Sequence, residues 1–175
     1  MAVILAVDPG LTRCGYALLD GEKVVDFGLF TSQAGADPAS RVGSIAASLQ
    51  SLIDQHSPKL VALERVFANS NLRSVMGVAQ ISGALMASAH KAGIPVEFFT
   101  PSEVKAAVAG NGRATKDQVG FMVAKQLGLT EVPKPADVAD ALAVALCAQR
   151  RSASFSTPAR QKWVAASKKA RPRLG

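Results

Sequence analysis

The sequence predicts an α/β fold on a mixed sheet, in which an antiparallel three-stranded meander is extended by parallel, helix-linked strands. Three observations predict it. Apolar runs of strand length recur at residues 2–8, 14–20, 23–31, 59–66 and 94–99. The first three are separated only by turns, whereas each of the last two follows a segment of helical period. Strands alternating with helices join parallel neighbours by right-handed crossovers. The chain has 175 residues, 49% hydrophobic and 19% charged, which suits one domain with a sizeable core.

Taken in order, residues 4–21 read ILAVDPGLTRCGYALLDG. An apolar run ends on Asp8, Pro9-Gly10 turns the backbone, and a second run ends at Asp20-Gly21, a tight-hairpin signal. Residues 33–40 form a loop rich in Gly, Ala, Asp and Pro. From Arg41 to His56, Val42, Ile45, Leu49, Leu52 and Ile53 repeat with a helical period. The strand at 59–66, KLVALERV, carries Glu64 near its end. A long helix rich in small residues follows at 74–92, then the strand at 94–99. Thr100-Pro101-Ser102-Glu103 opens a helix with a capping box and proline at its first position. Thr115 to Gln118 opens another, which stops at Gly128. Pro133 and Pro135 introduce a last Ala-rich helix at about 136–150. The order is βββ-α-β-α-β-α-α-α.

The net charge of +7 is unevenly placed. Residues 150–175 carry eight basic residues and no acid, and the remainder carries 12 basic and 13 acidic. The expected division is a domain at 1–150 and a basic tail at 151–175, which suits contact with a polyanion or a solvated terminus. No apolar run reaches the ~18–20 residues of a membrane span, so no membrane partner is expected. No signal peptide is legible, and a cytoplasmic location is expected. Cys14 and Cys147 match no metal-ligand spacing and read as small buried hydrophobes. His56 and His90 sit on helices without partners and read as surface or satisfied histidines.

The acids carry the chemistry. A carboxylate at the end of a buried strand loses hydration and needs a partner, commonly a cation. If the strand at 59–66 lies parallel beside that at 2–8, Asp8 and Glu64 share a rim, with strands ~4.8 Å apart. That rim, at the carboxyl ends of strands, is where open α/β sheets bind ligands. Asp137 and Asp140 lie three apart near the start of the last helix and face the same way. Clustered carboxylates repel unless cations compensate them, and hard oxygen ligands select Mg²⁺ or Mn²⁺. Two such ions ~3.5–4 Å apart suit in-line attack of water on a phosphodiester. Singly, each acid has an ordinary reading: Asp8 as a turn initiator, Glu64 on an edge strand, Asp137 and Asp140 as helix acids. The joint pattern is the more specific signal.

The blocks AVDPGLTRCGYALLD, ALERVFANSNLRSVMGVAQISGAL, FTPSEVKAAVAGNGRATKDQVGFMV and KPADVADALAVALC resemble, in order and spacing, those of the RuvC family of bacterial Holliday-junction resolvases. The resemblance spans about residues 1–150. It implies a ribonuclease-H-like fold of five strands flanked by helices. It implies a homodimer that resolves four-way junctions in recombination and repair. Paired, Mg²⁺- or Mn²⁺-dependent nicks would fall in two strands of like polarity. It implies Asp8, Glu64, Asp137 and Asp140 as catalytic and metal-binding residues with two ions. Some members have histidine at the third position, so Asp137 marks the all-acid version. The resemblance further implies Phe67 as an aromatic that enters the junction, Lys105 and Lys116 as basic residues near the scissile strand, and the branch-migration motor RuvA and RuvB as partner. Arg65, Arg73 and Arg113 flank the acids and complete the basic set expected to follow phosphates, although exposed basic residues are common on any surface. Phe67 begins the loop FANSNLRS, where it either wedges into DNA or packs on its own helix. The helix at 74–92 has more apolar positions than one face needs, which suits either a twin helix or burial within the domain.

Other readings remain from the residues. A ribonuclease-H-like nuclease acting on another branched DNA or on RNA would keep the same acids. A non-catalytic DNA-binding module would have lost them. The Asp8-Pro9-Gly10 turn also fits an ATP-binding domain like those of actin and sugar kinases, which generally need two such domains.

Overall fold

Strand β1, Val3–Asp8, lies at the centre of a five-stranded sheet. Leu5 and Val7 point to one face and Ile4 and Ala6 to the other, and both sets are buried. The strand therefore reads as an unbroken apolar run because both faces are covered. The computed structural model describes residues 3–65 and 72–155. β2, Arg13–Asp20, and β3, Lys23–Thr31, complete the meander, each antiparallel to its predecessor. Gly21, with φ 61°, supplies the left-handed turn residue that the hairpin needs.

Helix α1, Pro38–His56, leads into β4, Leu60–Glu64, and α2, Leu72–Lys91, leads into β5, Val96–Phe99. Both strands run parallel to β1, in the order β3-β2-β1-β4-β5. Three helices follow: α3, Pro101–Ala109; α4, Lys116–Leu127; and α5, Ala136–Phe155.

The helices form two layers. Ile45, Leu49, Ile81 and Leu85 of α1 and α2 pack with Leu5, Val7, Leu18 and Leu63. On the opposite face, Leu142 and Val144 of α5, with Val104 and Val123 of α3 and α4, pack on Ile4, Ala6, Ala17 and Ala62. Alanines on the strands let the Ala-rich α5 lie close across β1 and β2. Gly15 sets the limit of that approach: a Cβ there would stand 2.1 Å from the Asp137 carbonyl oxygen.

Element ends differ from the sequence expectation in instructive ways. α1 starts at Pro38, inside the expected loop, because Asp37 caps it through the Ser40 N–H. β4 stops at Glu64, short of Val66, and β5 starts at Val96. α5 runs on to Phe155 because Arg150 and Arg151 have partners in the fold. Arg150 donates to Gln126 Oε1 at 2.8 Å. The Arg151 guanidinium lies 4.0 Å from the Phe99 ring centroid and pairs with Glu103 at 2.9 Å and Glu97 at 3.6 Å. In α2, Ile81, Ser82 and Leu85 turn inward, whereas Met76, Ala79 and Met86 are exposed. Both cysteines are buried, and burial pushes the Cys14 thiol up to about 12 and that of Cys147 to about 11. Both stay protonated thiols at neutral pH. His56 is half-buried and His90 exposed, each on a helix. Among the described residues, no helix is long and apolar enough to cross a membrane.

Candidate active site

Asp8 ends β1, and the parallel register, with Val7 opposite Leu63, sets it level with Glu64 at the end of β4. Asp137 is the second residue of α5 and Asp140 lies one turn on. The first turn of α5 sits on β2 at Gly15, the partner of Asp8 across the β1–β2 ladder. A glycine on one strand thus seats the helix that carries two acids beside the strand that carries a third.

The acids form one electrostatic unit. The Asp8 carboxyl is pushed up to about 8, first by burial and then by repulsion from Glu64, Asp140 and Asp137, against a smaller pull from Lys116. Glu64 is also raised, by burial and then by Asp140, while Lys116 and Lys105 oppose the shift. Two cations partly compensate the cluster. Arg13 donates from both Nε, at 3.1 Å, and Nη2, at 2.6 Å, to Asp137 Oδ2. Lys116 Nζ donates to Asp140 Oδ2 at 2.9 Å, and that bond holds the ammonium above the usual lysine range.

These bonds draw Asp137 and Asp140 toward their own cations. Among the described residues, no three carboxylate, imidazole or thiol groups close around a common point able to hold a metal. The donor set is nonetheless that of a hard divalent ion: four carboxylates, two of them destabilised as anions by burial and mutual repulsion. Arg13 and Lys116 occupy carboxylate oxygens that such an ion would take.

The other expected residues fall around this cluster unevenly. Lys105 of α3 and Lys116 of α4 line a cleft of about 230 Å³ together with Glu64 and Asp140. The capping boxes of Thr100 with Glu103 and Thr115 with Gln118 fix the two helix starts that frame it. Arg113 is exposed on the loop between α3 and α4, its backbone N–H bonded to Asn111 Oδ1. Arg65 follows β4, with its guanidinium 5.8 Å from the Phe98 ring centroid. Arg73 belongs to the first turn of α2. Phe67 lies outside the described residues. Sequence reasoning missed Arg13 and Gly15. The only local signal for either was a cation and a glycine on the strand that follows the Asp8 turn.

Residues 4–148 match the family model for the crossover junction endodeoxyribonuclease RuvC. The chain is 50% identical over 149 residues to the RuvC crossover junction endodeoxyribonuclease of Frankia alni, covering 82% of this chain and 76% of that protein. Among solved structures, Thermus thermophilus RuvC aligns with a TM-score of 0.80 at 32% identity, covering 87% of this chain and 96% of that one. The same enzyme in complex with a Holliday junction substrate aligns at 0.81, also at 32% identity, covering 88% and 97%. The mixed sheet is that ribonuclease-H-like arrangement, as the sequence predicts, and membership implies a need for a divalent metal. The chain belongs to the RuvC family of crossover junction endodeoxyribonucleases.

Proposed function

We propose that Asp8, Glu64, Asp137 and Asp140 perform the family's reaction in this chain, hydrolysing phosphodiesters of a Holliday junction by paired nicks in strands of like polarity. The observation that carries this reading is Asp8. Its carboxyl is pushed up to about 8 amid three other acids at the rim of the sheet, an arrangement that opposes its own ionisation and favours a divalent cation. The four acids would hold Mg²⁺ or Mn²⁺, with two ions per site. When bound, the ions supply Lewis acidity toward the scissile phosphate and the attacking water. The residues of the chain set the geometry. Asp8 and Glu64 present oxygens from adjacent strands, while Asp137 and Asp140 enter from α5. Lys105 and Lys116 offset phosphate charge in the adjoining cleft. Arg73 and Arg113 extend the basic path, and Phe67 enters the opened junction.

Two sites related by a two-fold axis match the symmetry of a four-way junction. The exposed side of α2, with Met76 54% and Met86 43% accessible, supports a homodimer through that helix. The nuclease domain, read from the sequence as 1–150, extends through the end of α5 at Phe155, and the basic residues from Arg160 onward give an arm for DNA. The setting is cytoplasmic, with the RuvA and RuvB branch-migration motor as partner.

Asp8→Asn tests the assignment on a synthetic junction with Mg²⁺ or Mn²⁺. Cleavage is expected to fall by roughly 10²–10³-fold, the scale of losing one preorganised electrostatic partner. Junction affinity in EDTA is expected to persist. Wild-type cleavage by the variant would remove Asp8 from the reaction.

A further inference from the structure

Beside the acid cluster lies a second concavity, of about 330 Å³, between the β1–β2 turn and the starts of α1 and α2. Gly10, Thr12, Arg13, Arg41, Ser74 and Gly77 are among its lining residues. We propose that this pocket binds one backbone phosphate of the DNA strand, with Arg41 as its fixed cation; the proposal rests on the nuclease reading above.

Arg41 is positioned without being neutralised. Its Nε donates to Ser32 Oγ at 3.0 Å and its Nη2 to Thr12 Oγ1 at 2.7 Å. Ser32 in turn donates to the Leu11 carbonyl. The hydroxyl partners orient the guanidinium and leave its positive charge intact. Among the described residues, no carboxylate forms an ion pair with Arg41. A guanidinium offers five N–H donors in a planar fork that matches phosphate oxygens. Two are used by the hydroxyls, so donors remain for an anion.

The pocket owes its shape to missing side chains. A Cβ at Gly77 would meet Leu11 Cβ at 2.9 Å, and one at Gly10 would meet the Arg13 carbonyl oxygen at 2.1 Å. Gly77 lets α2 close on the turn and Gly10 lets the turn fold tightly on itself, with Ser74 exposed at the same wall. The location selects the ligand. Arg13 both lines this pocket and holds Asp137, and residues 9–12 join it to Asp8. An anion held here would neighbour a phosphodiester bound at the acids, so a polyanion that spans both is the fitting occupant. The cleft with Lys105 and Lys116 lies on the other wall of the acids, bounded by α3 and α4, so the two basic sites would follow the strand on both sides of the scissile bond.

Titration of a fluorescent four-way junction in EDTA across a series of salt concentrations tests this in the full chain. Arg41→Gln is expected to weaken binding several-fold and to reduce the slope of log K against log salt by about 1, the signature of one lost phosphate contact. Arg41→Lys should restore the slope. Because Arg41 also ties Thr12 to Ser32, Ser74→Glu provides a second arm: it places a repelling charge in the pocket and leaves those bonds intact. Ser74→Glu is expected to lose affinity with an unchanged melting temperature. Wild-type affinity and slope in both Arg41→Gln and Ser74→Glu would overturn the phosphate site. Wild-type cleavage of the junction with divalent ions is measured alongside. If wild type cuts and the slopes do not change, the pocket proposal falls and the nuclease reading stands. If wild type binds with an Arg41-dependent slope and never cuts, the reverse holds.

Discussion

Arg13 and Lys116 each hold one carboxylate of the acid cluster, Asp137 at 2.6 Å and Asp140 at 2.9 Å. On the proposed reading, an incoming cation must compete with them. Arg13 is 48% exposed, so its bond to Asp137 is worth only ~0.2–1 kcal/mol after solvent screening. Arg13→Gln is therefore expected to tighten divalent-ion binding by up to about fivefold. Isothermal titration with Mn²⁺ reads this without any cleavage, and weaker Mn²⁺ binding in the variant would show that Arg13 does not compete. Asp8 makes the opposite kind of claim at the same scale. Its raised carboxyl is a cost that the ion-free fold carries, and Asp8→Asn removes that cost.

At the scale of elements, the seat of α5 on β2 decides where two of the four acids stand. Gly15→Ala would place a methyl 2.1 Å from the Asp137 carbonyl oxygen, so the first turn of α5 must move away. A shift of about 1 Å at a reacting centre costs roughly 10²-fold. Cleavage by Gly15→Ala is expected to fall by that order, and a crystal structure would locate the displaced turn. Full activity would mean that the helix tolerates the shift. Much of this geometry is legible in the sequence. The apolar run to Asp8, the two capping boxes and the three-residue spacing of Asp137 and Asp140 are local signals, and local signals survive in one dimension. The bond from Arg13 to Asp137 spans 124 residues and the close approach at Gly15 joins a strand to a helix. Beyond a cation and a glycine on the strand after the Asp8 turn, neither leaves a trace in its neighbours. The start of α1 was written in Asp37-Pro38-Ala39-Ser40, an ordinary cap that the composition of the surrounding loop obscured. The far end of α5 lacked any such mark, because Arg151 stays helical through contacts with β5 and α3.

Across the whole molecule, the acid cluster ties folding to pH and, on the proposed reading, to divalent ions. Asp8 and Glu64 titrate higher in the folded chain than in the unfolded one. Between the ordinary carboxylate range and about 8, the folded state therefore binds more protons. Stability in EDTA is expected to fall as pH rises through that window. Divalent ions should reverse the trend, and Asp8→Asn in EDTA at pH 8 should melt on the order of 5 °C higher than wild type. Melting curves across pH, with and without Mg²⁺, read all three. A flat profile in EDTA would mean that the acids are relieved by other means. The exposed methionines of α2 give a second test at this scale. If α2 pairs with its twin as proposed, Met76→Glu is expected to shift the chain toward monomer in sedimentation, because a like charge would meet its counterpart across a two-fold axis. An unchanged dimer would move the interface elsewhere.

The stacking of Arg151 on Phe99 bears on how the basic tail can be dissected. A chain cut after residue 150 loses a clamp on the outermost strand along with its positive charges, so reduced DNA affinity in such a fragment would mix two causes. A cut after Phe155 keeps the clamp and discards every cation from Arg160 onward, so the loss of the tail is read without loss of the clamp.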